Sequence, residues 1–489
     1  MTASGATVTP LLIDGDLVPA GGGTFTTVNP ATEEPLGAAA DGDATDMDRA
    51  IAAARSAFDE TEWWRDTGLR VHCLRQLRDA LTGEIEQLRA VTVAEVGAPV
   101  ALTYGGQLQT PVDGLGYAAD LAENYRWTTD LGEASPLGIR TRRTIAREPF
   151  GVVGAVTPWN FPHHITFAKL GPALAAGNTV VLKPAPDTPW CAAEVGRIIA
   201  EKTDFPAGVV NVVTSSDHRV GAQLVADPRV DLVSFTGSTA TGRSVMAAAA
   251  ANVTKVFLEL GGKSAFLVLD DADLAAACAA AASAVCVHAG QGCALTTRLV
   301  VPRARHDEAV AAVVAAMSRV RVGDPRDPAT ICGPLISATQ RDRVQRYLDL
   351  AITEGGSFAC GGGRPAGLDT GFYIEPTVVT GLSNADRVAR EEIFGPVLVV
   401  LGHDGDTDAV RIANDSPYGL SATVFGADPG RVGRVVSRVR TGTVNVNGGV
   451  WYAVDAPFGG YKQSGIGREM GLAGFEEYLE TKLVAVAAG

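Results

Sequence analysis

From Gly151 onward the chain alternates apolar segment, glycine-rich turn and helical stretch, and this rhythm constrains the fold more than any other feature. Apolar segments occupy 152–157, 170–176 and 179–182; a helical pattern follows at 192–201, a strand at 209–213, a helix at 221–226 and a strand at 232–235. Strands apolar on both faces and separated by helices belong in a parallel sheet with helices packed on each side, because a strand with one solvated face would alternate instead. The rhythm starts again near Leu258, with a strand at 266–269, an alanine-rich helix from Asp273, a strand at 298–301, a helix from Asp307 and a further series to about residue 450. Two doubly wound α/β domains are therefore expected, with a ligand cleft where they meet.

At 489 residues the chain exceeds one hydrophobic core, and 46% hydrophobic with 20% charged residues is a globular balance. A net charge of −14 with only one basic cluster, Arg140, Arg142 and Arg143, argues against a nucleic-acid partner. The first 48 residues hold no Lys or Arg, so neither a secretory signal nor a mitochondrial presequence is expected there. The apolar run 274–287 is shorter than the roughly 20 residues a membrane span needs. Seven scattered cysteines without a Cys-x-x-Cys pair read as reduced cytoplasmic thiols, and the scattered histidines give no metal site. Nearer the start, 11–18 and 24–28 read as short strands, followed by a helix with Thr45 as N-cap and a stripe at Met47, Ile51, Ala54 and Phe58. Segments 138–147 and 481–488 fit neither domain and read as edge strands, either used in subunit pairing or charged so as to block association.

Five short constellations carry chemistry. Gly237 and Ser238 follow a buried strand and open a helix, which aims backbone N–H groups at a phosphate, though many turns hold glycine. Lys183 ends a buried strand at the carboxyl edge of the sheet, where it would meet a ribose or a phosphate, or simply solvent. Glu259 lies in an apolar, glycine-rich strip, which suits either a general base with a raised pKa or a carboxylate paired with Lys263 or Lys255. Cys293 leaves the alanine-rich helix through Gly290 and Gly292 and should occupy a tight exposed turn, whereas Cys278 and Cys286 read as packing residues of the helix itself. Asn160, between Pro158 and Pro162, is either a rigid donor for an oxyanion or an amide serving its own turn.

Taken together and in order, these segments resemble the aldehyde dehydrogenase superfamily from end to end. The likeness runs from Ile13-Asp14-Gly15 and Val28-Asn29-Pro30-Ala31-Thr32 through Pro158-Trp159-Asn160-Phe161-Pro162, Lys183-Pro184-Ala185, Phe235-Thr236-Gly237-Ser238 and Glu259-Leu260-Gly261-Gly262-Lys263. It continues through Gly290-Gln291-Gly292-Cys293, Glu391-Glu392-Ile393-Phe394-Gly395-Pro396 and Pro457-Phe458-Gly459-Gly460-Tyr461-Lys462-Gln463-Ser464-Gly465. The resemblance implies that Cys293 is the nucleophile, that Asn160 and the Cys293 N–H hold the oxyanion, and that Glu259 is the general base. It implies that Lys183 and Glu392 bind cofactor riboses, that Gly237 and Ser238 meet the pyrophosphate, and that Phe394 and Trp159 line the cofactor cleft. Aldehyde is then oxidised to acid with NAD through a thiohemiacetal and a thioester on Cys293.

The same resemblance places a dinucleotide-binding domain at 1–128 and 149–257, a catalytic domain at 258–461, and oligomerisation segments at 129–148 and 470–489 of a homodimer or homotetramer. Pro186 stands where many NAD-preferring relatives carry a glutamate on the adenosine ribose, so NADP is also expected to be tolerated. His164 and Ala168 share a helix face expected to line the substrate tunnel, with Gly292, Ala294, Trp451, Tyr452 and Phe458 completing the wall. A CoA-acylating relative would generally lack the base kept here as Glu259, and Cys293, Glu259 and Asn160 together argue against a silent member, so hydrolytic oxidation is the expected activity.

Overall fold

The computed structural model describes residues 8–488. Its first sheet has eight strands, with Val152–Thr157, Thr179–Pro184, Val210–Val212, Leu232–Thr236 and Lys255–Glu259 all parallel. Every residue of Thr179–Pro184 and Leu232–Thr236 is buried, as strands covered by helices on both faces require. The register brings the strand ends level: Thr157 pairs with Pro184, Phe235 with Val156 and Thr236 with Glu259. Four strands therefore release Asn160, Lys183, Gly237 and Glu259 at one edge, the carboxyl edge where open α/β sheets bind ligands.

The second sheet has seven strands, six of them parallel, from Thr377–Thr380 through Val397–His403, Thr296–Pro302, Ser264–Val268 and Ser421–Phe425 to Thr443–Val446. Separate apolar clusters cover the two faces of each sheet, so the two expected α/β units are both present. The chain passes from one sheet to the other through Leu260–Lys263, and buried groups hold that crossing in place. Arg298 donates to the carbonyls of Lys263, Ile412 and Ala413 and to Asn384 Oδ1. Ser464 Oγ donates to Gly261 O at 2.7 Å, and Gly465 pairs with Glu259 as an antiparallel edge. A Cβ on Gly465 would lie 2.1 Å from Leu258 O, which explains a glycine there.

Three local expectations are corrected. Residues 11–18 are two strands, Leu11–Ile13 and Asp16–Val18, folded into a hairpin because Asp14 and Gly15 both take positive φ. The helix Ala44–Glu60 is capped by Asp43 rather than Thr45: the Asp43 carboxylate accepts from the Thr45 and Asp46 N–H groups, and Asp46 accepts from the Asp43 N–H in return. The arginine-rich stretch is not an edge. Thr141–Pro149 is the central strand of a three-stranded antiparallel sheet, between Thr128–Ala134 and Leu479–Ala487, and only the last two are edges.

Candidate active site

The alanine-rich helix Leu274–Cys286 stops because His288, Ala289 and Gly290 take φ of 49°, 52° and 73° in succession, a left-handed run that no helix can carry. The following loop is anchored by the Gln291 amide, whose Nε2 donates to His288 O and Pro334 O and whose Oε1 accepts from the Ile336 N–H. Ser421 Oγ donates to Ala294 O at 2.6 Å on the other side of the turn. Cys293 thus occupies a rigid turn, half-buried rather than exposed, while Cys278 and Cys286 are fully buried in the helix. A Cβ on Gly290 would lie 2.1 Å from Gly395 O, and one on Gly262 would lie 2.8 Å from Cys293 O. Two distant glycine motifs exist to let the thiol loop sit against its neighbours.

Asn160 is buried, and its Nδ2 donates to Gln291 O at 2.9 Å, which leaves its second N–H uncommitted. Gln107 Nε2 donates to Asn160 O and secures the loop from behind. The Cys293 N–H has no acceptor among the described residues, so two donors converge beside the thiol. Glu259 is buried and pairs with neither Lys255, which bridges to Glu477, nor Lys263. Its Oε1 has no hydrogen-bond partner among the described residues. Burial, followed by the charge of Glu469, pushes the Glu259 carboxyl well above the usual carboxylate range, and burial followed by Glu259 pushes the Cys293 thiol up. The carboxyl and the thiol line the same two cavities, so the Glu259 carboxyl is the base nearest to hand for the thiol proton.

Three cavities surround this pair. An outer cleft of about 510 Å³ runs along the carboxyl edge of the first sheet past Lys183, Pro186, His218 and Val245 to Ser238. An inner chamber of about 220 Å³ continues it between Ser238, Trp159, Phe394 and Glu392 to Cys293. A third, of about 260 Å³, approaches Cys293 from the other side. The inner chamber and the third cavity share Asn160, Glu259 and Cys293 in their walls.

The residues expected at a cofactor divide by what they already do. Lys183 is buried, not a solvated strand end, and its Nζ donates to Pro184 O and Ser215 O; burial holds it down at about 8. Ser238 caps the helix Thr239–Ala249 by accepting from the Thr241 N–H. The Gly237 N–H is committed to Glu259 O at 3.1 Å, and a Cβ on Gly242 would lie 2.5 Å from Leu260 Cδ2, so a larger residue there would push that side chain aside. Glu392 accepts from the Gly262 N–H at 2.9 Å, and Phe394, at φ 63°, meets the Trp159 ring edge-on at 5.4 Å. An apolar groove with a lysine, a helix N-terminus and a carboxylate set along it suits a dinucleotide.

His164, Trp451, Tyr452, Phe458, Gly292 and Ala294 all line the third cavity. Ala168 does not; it lines a smaller adjoining cavity whose wall shares His164 and Tyr452. Sequence reasoning passed over Lys169 and Glu469, a buried ion pair at 2.8 Å whose carboxylate borders the third cavity. A lysine on the apolar helix Pro162–Ala176 was the one available signal, since its partner is 300 positions away.

The family model described as the aldehyde dehydrogenase family matches residues 17–484. A 3-succinoylsemialdehyde-pyridine dehydrogenase from a Pseudomonas species is 42% identical over 96% of this chain and 97% of its own length. Among solved structures, betaine aldehyde dehydrogenase of Staphylococcus aureus in complex with NAD+ superposes with a TM-score of 0.94 at 36% identity, covering 98% of this chain and 94% of that one. A cysteine-to-alanine mutant of aldehyde dehydrogenase C from Pseudomonas syringae, in complex with NAD+ and octanal, has a TM-score of 0.92 at 40% identity and covers 97% of this chain and 96% of that one.

Proposed function

The chain belongs to the aldehyde dehydrogenase family, and from that membership we propose the part that each residue of the cleft plays. The protein is an NAD-dependent oxidoreductase that converts an aldehyde into its carboxylic acid. One observation carries the assignment of roles: the cofactor-side cavity and the opposite cavity meet at Cys293, Glu259 and Asn160 and share those three side chains.

In the proposed cycle Glu259 takes the thiol proton, and Cys293 Sγ bonds to the aldehyde carbon. The resulting oxyanion is held by the free N–H of Asn160 and by the Cys293 N–H. Bound NAD supplies the acceptor for the hydride that the substrate carbon loses. Glu259 then gives the thiol proton to solvent and takes another from the water that attacks the thioester left on Cys293; as the acid is released, this second proton passes to the departing Cys293 sulfur and restores the thiol. Lys183 and Glu392 are proposed to hold the cofactor riboses, Ser238 and the Gly237 backbone to border the pyrophosphate, and Trp159 and Phe394 to bracket the nicotinamide end. Glu392 is already oriented for this by the Gly262 N–H.

Pro186 borders the outer cleft and offers no carboxylate to repel a 2′-phosphate, so NADP is proposed as a second, accepted cofactor. The carboxylates of Asp41, Asp187 and Asp217 around Lys183 favour NAD over it. Residues 1–128 and 149–257 are proposed as the dinucleotide-binding domain and 258–461 as the catalytic domain. A homodimer or homotetramer is proposed to assemble through 129–148 and 470–489, on the exposed apolar side chains Leu131, Leu483 and Val486. A monomer mass by light scattering would remove the oligomer. Cytoplasmic residence is proposed from seven free thiols, and no helix among the described residues is long and apolar enough to cross a membrane. The deciding assay measures reduced cofactor across short, branched, aromatic and charged aldehydes with NAD and NADP, beside Cys293→Ala. Activity that persists in that variant refutes the assignment of the nucleophile.

A further inference from the structure

The third cavity is apolar along most of its wall, with Leu102, Phe161, Ile165, Val287, Leu295 and Phe458 facing inward. No lysine or arginine lines it, and its two carboxylates, Glu259 and Glu469, lie where it reaches Cys293, Glu469 already paired with Lys169. Apart from Gln107, Asn160 and the Trp451 indole, the polar side chains that remain in the wall form one pair. Tyr452 Oη and His164 Nδ1 are 2.9 Å apart, and their rings meet edge-on at 5.0 Å, in the partition between this cavity and the smaller one beside Ala168. Burial holds His164 down at about 4, so the ring is neutral near pH 7.

The donor count of this pair is unbalanced. A neutral imidazole has one N–H and a phenol one O–H, and a single hydrogen bond joins them. If Tyr452 donates to Nδ1, the Nε2–H of His164 is left over; if Nδ1–H donates to Tyr452, the phenolic proton is left over. Neither His164 Nε2 nor a second contact of Tyr452 Oη has a partner among the described residues. His164 Nε2 is also absent from the fully enclosed, unpartnered atoms, unlike Nε2 of His163 one residue earlier, so it has open space before it. In either tautomer one donor of the pair is left without a protein partner, and in the Nε2–H tautomer that donor has open space before it; a site of this kind discriminates against a ligand that cannot accept.

Building on the reading of this cavity as the aldehyde's binding tunnel, we propose that His164 and Tyr452 form a neutral hydrogen-bond donor station in its wall. The substrate class is an aldehyde whose otherwise apolar chain carries a neutral acceptor, such as an ether, ketone, hydroxyl or ring nitrogen, part-way along. Anionic tails find no cation here, and plain alkanals leave the donor without a partner.

The test compares kcat/KM for octanal with that for its analogues in which an ether oxygen replaces each chain methylene in turn from the third carbon outward, using the full-length enzyme with NAD. At one position of the oxygen the wild type favours the oxa-aldehyde by about three- to tenfold, the value of one neutral hydrogen bond. Tyr452→Phe and His164→Leu each leave one donor and retain a preference, whereas the double variant loses it and brings the ratio to within twofold of one. No preference at any position in the wild type, or a preference undiminished in the double variant, overturns the proposal. Gly106→Leu separates this failure from that of the tunnel itself, because a Cβ there already lies 3.9 Å from Tyr452 Cε1. If the tunnel reading holds, that variant lowers kcat/KM for octanal more than for propanal; if it alters neither, the tunnel reading falls and the donor station falls with it.

Discussion

Gly290→Ala tests how the thiol loop is held. The added Cβ would stand 2.1 Å from Gly395 O and 2.6 Å from Pro396 N, both backbone atoms with no rotamer to escape into. To reach 3.0 Å, the shortest approach that real Cβ atoms tolerate, the two backbones must part by about 0.9 Å. The left-handed φ of 73° adds about 1–2 kcal/mol of backbone strain. Gly23→Ala is the matched control, since φ is 83° there and nothing lies within 4 Å, so it carries the backbone cost alone. A displacement near 1 Å at a reacting group costs on the order of 100-fold. We therefore expect Gly290→Ala to lower kcat/KM about 100-fold and to slow alkylation of Cys293 by iodoacetamide. The same displacement moves Phe394 and Glu392, the neighbours of Gly395, so KM for NAD should rise as well. Gly23→Ala should change none of these. A Gly290→Ala enzyme within threefold of wild type in kcat/KM would refute the claim that this contact positions the thiol.

Four further outcomes rest on the same geometry. Asn160→Ala removes a side-chain donor beside the thiol and should lower kcat by about 100- to 1,000-fold with a smaller change in KM, and a loss under tenfold would show that the oxyanion is held elsewhere. Glu259→Gln removes the base for the thiol and for the water alike, so it should slow the first-turnover burst of reduced cofactor and lower steady-state turnover by about 100- to 10,000-fold; a burst as fast as wild type would show that Glu259 does not take the thiol proton. Glu259 acts as a base only when ionised, and its pKa is raised, so turnover should fall as the pH falls through that raised value. Glu469→Gln removes a neighbouring negative charge and leaves the Lys169 charge unopposed, both of which favour the Glu259 carboxylate, so the acid limb of kcat should move to lower pH. A limb that stays or moves upward would show that Glu469 does not act on Glu259.

Much of the architecture was legible along the chain because the two parallel sheets are buried on both faces, and unbroken apolar strands record that burial directly. The departure of Cys293 from its helix was legible too, since two glycines flank it. The capping of Ala44–Glu60 was misjudged by two residues because Asp43, Thr45 and Asp46 are all competent caps, and only the backbone at Asp43, extended at φ −103°, decides among them. Residues 138–147 read as an edge from their charge, which marks exposure to solvent and says nothing of how many strands flank them; Thr141–Pro149 is flanked on both sides.

What the sequence alone determined was the menu of chemistry: one cysteine in a glycine-bounded turn, one carboxylate in an apolar strip, one amide between prolines, and a strand rhythm that sets them on shared sheet edges. Local periodicity and turn residues suffice for that, since each acts over a few positions. Only the tertiary structure decided that Glu259 shares two cavities with Cys293 and pairs with neither lysine, that Gly290 is a glycine for the sake of Gly395, and that Lys169 neutralises Glu469 across 300 positions. Desolvation and close packing create those relations, and both depend on which distant segments exclude water from one another.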